Sequence, residues 1–145
     1  MDYTIPNKIT ESIFLGKSNS AQNLDVLQEL GITHILMVGY DLEAKFPKQI
    51  TYTHLEMDDK EGVNIQVYFD TACDFIDEAI NSGGKILIHC HAGVSRSASI
   101  VIAYLIKQKK ISYEEAREIC RQGRPCINPN RGFVEQLRHW SKQHQ

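Results

Sequence analysis

Long apolar runs are missing from this chain. The longest, Ile100–Ile106, is far short of the ~20 residues needed to cross a bilayer. A large excess of either charge is missing too: 16 basic and 18 acidic residues leave a net charge of −2. That removes the electrostatic case for nucleic acid or an anionic membrane as main partner. Four cysteines at 73, 90, 120 and 126 form no C-x-x-C pair, and with six histidines they match no common zinc spacing. Three of them are expected to be reduced, half-buried thiols in a reducing compartment, the cytoplasm or the nucleus, with Cys90 set apart. Met1-Asp2-Tyr3-Thr4-Ile5-Pro6 has no basic, apolar leader and no glycine after the methionine, so neither secretion nor myristoylation is expected. Repeats, low-complexity tracts and linkers are absent. The 145 residues, 42% hydrophobic and 23% charged, are expected to form one domain over 1–145 with one core.

What is present is an alternation of strand and helix signals. Ile9–Leu15 reads as a strand pair around Thr10-Glu11-Ser12. Ser20 can cap a helix through Leu30, with Ala21, Leu24, Leu27 and Leu30 on one face and Gly31 as its left-handed stop. Thr33–Val38 reads as a buried strand and Thr51–Glu56 as a less buried one. The pattern predicts a helix over 65–81, striped by Ile65, Tyr68, Ala72, Phe75 or Ile76, and Ala79, and stopped by Ser82-Gly83-Gly84. Lys85–His89 is a short apolar strand. A loop from Cys90 to Arg96 follows, then a helix from Ser97 to about Lys109 that is apolar nearly all round and so belongs in the core. Ser112-Tyr113-Glu114-Glu115 is a capping box opening a helix to about Arg121. The turn-rich 123–129 stretch leads to an amphipathic helix carrying Phe133, Leu137 and Trp140. The fold class is therefore α/β: a central, mostly parallel (mixed) sheet of about five strands flanked by helices. Ligands of such sheets sit outside the carboxyl ends of the strands, where the Cys90 loop falls.

The loop reads His89-Cys90-His91-Ala92-Gly93-Val94-Ser95-Arg96-Ser97. A bare Cys-x5-Arg is weak, since random placement gives one in roughly one chain in six of this composition. A preceding strand, a following helix and a mid-loop glycine strengthen it. Such a loop can curl so that the amides of His91, Ala92, Gly93, Val94 and Ser95 form an anion nest. The helix adds its positive end, Gly93 supplies a backbone freedom that a β-carbon resists, and Arg96 supplies a planar fork for phosphate oxygens. A tetrahedral dianion fits that cradle. Helix N-termini and nearby cations ionise thiols, so Cys90 is expected to be a nucleophilic thiolate.

His-Cys-x-x-Gly-x-x-Arg-Ser resembles the signature of the cysteine-based protein tyrosine phosphatases. Cys-His-Ala-Gly-Val-Ser-Arg-Ser is similar to the dual-specificity branch, especially its small atypical members. The likeness runs through the 31–38 strand entry, the 68–80 helix and Asn128-Pro129-Asn130-Arg131-Gly132-Phe133, nearly the whole chain. It implies a tyrosine-phosphatase-like fold and a phosphocysteine on Cys90. It further implies that Ser97 helps the thiolate leave and that His89 supports the loop. On residue chemistry alone Ser97 is equally a plain helix residue and His89 a satisfied core histidine.

A phosphate ester also needs a proton on its departing oxygen. Met57-Asp58-Asp59-Lys60-Glu61-Gly62 is a surface loop able to cover a site, and the resemblance puts the general acid there. Asp59, 31 residues before Cys90, takes that slot, with Asp58 and a merely solvated acidic turn as alternatives. Asn130 resembles the residue that buttresses the phosphate loop, and is also a good helix N-cap. No metal or cofactor is required when Arg96, amides and Cys90 supply charge and nucleophile. The resemblance implies phosphoprotein substrates, kinases among them, with phosphotyrosine and phosphoserine or phosphothreonine both accepted. His91 and Val94, where lipid phosphatases tend to carry lysine, argue against phosphoinositides. The slightly acidic balance argues against an RNA 5′-triphosphate. Lys107, Lys109 and Lys110 read as a solvated helix end. Two other classes stay open: a silent phospho-binding module and a rhodanese-type sulfur-transfer enzyme. Trapping of an oxidised Cys90 by Cys73, Cys120 or Cys126 is open as well.

Overall fold

A computed structural model describes residues 5–145; the reading of the first four residues lies outside them. Its sheet has five strands: β1 (Asn7–Lys8), β2 (Ile13–Gly16), β3 (Ile32–Val38), β4 (Thr51–Leu55) and β5 (Lys85–His89). Their order is β1-β2-β5-β3-β4, with β1 antiparallel to β2 and every other pair parallel. The mixed, mostly parallel α/β sheet is thus as expected, and its middle strand is β5. Burial follows the strand period of two. Ile86 and Ile88 face one layer with Leu36 and Val38, while Leu87, Ile35 and Met37 face the other.

The first layer holds four helices: α2 (Phe69–Asn81), α3 (Arg96–Lys109), α4 (Tyr113–Gly123) and α5 (Arg131–Gln143). The second is covered by α1 (Leu24–Glu29), through Leu27. In α3 every residue from Ser97 to Ile106 is buried, because the helix leaves the end of β5 and runs between sheet and neighbouring helices. The indole of Trp140 on α5 donates to the Ala103 carbonyl of α3 (3.0 Å) and meets the Phe69 ring edge-on at 5.1 Å. No helix among the described residues is long and apolar enough to cross a membrane.

Several boundaries differ from the sequence reading, beginning with the strand pair expected over Ile9–Leu15, which lies at Asn7–Lys8 and Ile13–Gly16. Ser20 does not cap α1: Ser18–Ala21 is a separate 3-10 turn, and the Ser20 hydroxyl accepts from the Lys17 amide (3.3 Å). Asn23 is the cap, accepting from the Val26 amide, and Gly31 follows at φ +79 as expected. The helix expected from Ile65 begins as a 3-10 turn, Ile65–Tyr68, and becomes α2 only at Phe69; Phe75 and Ile76 are both buried. α3 starts one residue early, at Arg96, and α4 ends two late, at Gly123. The Ser112–Glu115 capping box is present in full. Of the three spare thiols, Cys73 and Cys120 are fully buried and burial pushes both up to about 12; Cys126 is exposed rather than half-buried.

Candidate active site

β5 ends at His89, so Cys90 starts the loop at the carboxyl edge of the central strand. The loop's curl is fixed by where its carbonyls go. The His91 oxygen accepts from the Ser18 amide (3.2 Å), Val94 from the Asn128 amide (2.7 Å) and Ser95 from the Ser99 amide (2.9 Å). Arg124 takes the two between: Nη2 donates to the Ala92 oxygen (3.1 Å) and Nε to the Gly93 oxygen (2.8 Å). Its Nη1 is anchored on the Asn7 side chain (2.7 Å). In a trans peptide the next N–H points opposite to the carbonyl. Outward oxygens at His91, Ala92, Gly93 and Val94 therefore turn the amides of Ala92, Gly93, Val94 and Ser95 the other way, making a nest for an anion. One of them, the Gly93 N–H, donates to the Cys90 sulfur at 3.2 Å.

Gly93 sits at φ +67, where a β-carbon would come within 2.6 Å of both Arg124 and the Gly16 carbonyl oxygen. Only glycine meets the conformation and the space together.

Cys90 is 2% exposed, and its sulfur lies 3.0 Å from the Ser97 hydroxyl in the first turn of α3. The hydroxyl and the Gly93 amide thus flank the same sulfur. Arg96 opens α3, and its Nη1 donates to the Met57 carbonyl (3.1 Å), tying the guanidinium to the start of the acidic loop. Gly39, just past β3, makes room for it: a β-carbon there would meet Nη1 at 2.7 Å.

That loop reaches the site through Asn130. The Asn130 Nδ2 donates to Asp59 (2.8 Å), its backbone N–H donates to the Ser95 hydroxyl (2.9 Å), and its Oδ1 caps α5 by accepting from the Phe133 amide (2.9 Å). Asn130 thus caps α5 with its side-chain oxygen and touches the phosphate loop through its backbone N–H. Asp58 pairs instead with Lys60 at 3.8 Å. The His91 Nε2–H donates to the Tyr40 carbonyl (2.8 Å), which ties this ring to the stretch after β3. His89 is 2% exposed, with Nδ1 3.4 Å from the Cys90 carbonyl and Nε2 without a partner among the described residues. Burial pushes it down to about 4, outweighing the carbonyl contact, so the ring is neutral near pH 7.

Arg124 and Gly39 escape a reading of the sequence, as does the backbone contact that Asn128 makes with Val94. Arg124 lies 34 residues past Cys90 in a stretch whose only local signal is turn chemistry, and its partners become visible only once the loop is folded.

The catalytic-domain family described as dual specificity phosphatase matches residues 13–143. The chain belongs to that family. The phosphatase is 39% identical to dual specificity protein phosphatase 1 of Arabidopsis thaliana, over 97% of this chain and 71% of that one. It is 40% identical to serine/threonine/tyrosine-interacting protein B of Xenopus laevis, over 96% and 68%. The solved structure of the human tyrosine phosphatase-like serine/threonine/tyrosine-interacting protein superposes with a TM-score of 0.92 at 36% identity, covering 95% of this chain and 96% of that one. Family membership makes the chain a cysteine-dependent protein phosphatase.

Proposed function

We propose that the phosphatase hydrolyses phosphotyrosine and phosphoserine or phosphothreonine in proteins through a phosphocysteine on Cys90, within one catalytic domain over 1–145. The observation that carries this reading is the run of four outward carbonyls around a sulfur that already accepts one loop amide.

The phosphoryl oxygens rest on the amides of Ala92 to Ser95 and on the N–H groups of Arg96 not held by Met57. The Cys90 thiolate attacks phosphorus in line: the S–P bond forms, the bond to the substrate oxygen breaks, and Asp59 gives that oxygen its proton. A water then attacks phosphorus and loses a proton to Asp59, the S–P bond breaks, and inorganic phosphate leaves. The Ser97 hydroxyl and the Gly93 amide stabilise the sulfur as it departs. His89 and Asn130 hold the loop. Reduced thiols suit a cytoplasmic or nuclear protein, and phosphorylated kinases are one class of substrate that such a site accepts.

Turnover of phosphotyrosine and phosphothreonine peptides, a phosphoinositide and an RNA 5′-triphosphate, all in chelator with Cys90→Ser as control, tests this. Both peptides are expected to be hydrolysed well ahead of lipid and RNA, and the serine variant to be inactive. Preference for lipid or RNA would overturn the substrate class. Equal rates in wild type and variant would overturn the assignment of Cys90, and binding without turnover would make the chain a silent phospho-reader.

A further inference from the structure

A polar cleft of about 190 Å³ opens beside the phosphate loop, lined by Ser18, Gln22, Asp41, Glu43, His89 and His91. Its deepest lining residue is His89. A carbonyl only accepts, so contact with the Cys90 oxygen puts the ring proton on Nδ1 and leaves a lone pair on Nε2, which finds no partner among the described residues. A buried acceptor left alone is costly, and this one calls for a donor. The rest of the lining asks for the same. Asp41 and Glu43 are exposed carboxylates that only accept. His91 commits its Nε2–H to the Tyr40 carbonyl. At the rim the Lys45 ammonium is already drawn to the Gln22 carbonyl (3.4 Å). With two carboxylates in the lining, the donor that suits the cleft carries positive charge.

Position says where that cation comes from. His91 directly follows Cys90, and Asp41 directly follows Tyr40, whose carbonyl holds His91. In an extended peptide with its phosphorylated residue over Cys90, each neighbour lies ~3.3–3.6 Å further along, which matches a cleft lined by the residue next to Cys90. We propose that the cleft is a substrate subsite for an arginine side chain one or two residues from the phosphorylated one. A guanidinium carries five N–H donors in a fixed fork, which matches several separated acceptors better than a lysine ammonium does. The proposal rests on the reading of the chain as a phosphoprotein phosphatase.

The test is kcat/KM on phosphotyrosine peptides in which arginine, alanine or glutamate is walked through the two positions on either side, with p-nitrophenyl phosphate as a substrate that cannot reach the cleft. Arginine at one position is expected to exceed alanine about tenfold, with glutamate below alanine. In Asp41→Asn/Glu43→Gln, two near-isosteric changes at exposed positions, the preference should shrink to within about twofold while p-nitrophenyl phosphate turnover is unchanged. Absence of any positional arginine preference in the wild type, or its survival in the double variant, would overturn the subsite and leave the phosphatase reading standing. Absence of p-nitrophenyl phosphate turnover in the wild type would take both down.

Discussion

In the proposed reaction the phosphate loop and the acidic loop at Met57–Gly62 act together, yet they are held very differently. The first has a backbone or guanidinium donor on each of five successive carbonyls and is rooted in a buried strand and a buried helix. The second is mostly exposed and hangs from the Met57 carbonyl on Arg96 and the Asp59 carboxylate on Asn130. Charge stabilisation works best from dipoles that need not move when the reaction occurs. A proton donor must meet leaving oxygens at different heights, from a tyrosine or from a threonine, and gains from a looser tether. The contrast fits an enzyme with one anion cradle and several substrates.

The comparison breaks most sharply at Asp59. Asp59→Asn is expected to lower turnover of a phosphothreonine peptide about 10²–10⁴-fold and to remove one limb of the pH–rate profile, with a smaller loss on an aryl phosphate whose leaving oxygen needs less help. An unchanged profile would move the acid elsewhere, Asp58 being the first alternative.

A second contrast concerns pH. Above about 6.5 the His89 ring is neutral in folded and unfolded chain alike. Between about 6.5 and 4 the unfolded chain takes up a proton that the buried ring refuses, so stability falls with falling pH across that window and levels off below it. The total is about 3 kcal/mol. Denaturant midpoints of wild type and His89→Asn between pH 7.5 and 4 check this, and a wild-type slope that persists in the variant contradicts it.

Arg124→Met sharpens the same division at smaller scale. It strips donors from the Ala92 and Gly93 carbonyls, which is expected to cost about 1–3 kcal/mol, seen as roughly a tenfold or larger weakening of vanadate binding. The acid limb of the pH profile should stay in place. A shift of that limb with intact vanadate affinity would show that the two loops are coupled through Arg124.

The cradle was the more legible region in the sequence, because its chemistry is local: cysteine, glycine and arginine fall within one strand–loop–helix unit. The proposed role of Asp59 was legible only through resemblance, since two adjacent aspartates look alike until Asn130, 71 residues away, bonds one of them. Arg124 was not legible at all, because its partners are backbone oxygens and carry no residue identity. The misplaced cap at Ser20 has a similar cause. Ser20 and Asn23 are both good caps, and the choice was made by the Lys17 amide claiming the serine hydroxyl.

Rapid-quench mixing of enzyme with a radiolabelled phosphotyrosine peptide, followed by mass spectrometry of the denatured protein, asks most directly whether sulfur is the nucleophile. A burst of protein-bound phosphate mapping to Cys90, absent in Cys90→Ser, is the expected result. Full turnover with no labelled protein, or a label at another residue, would contradict it.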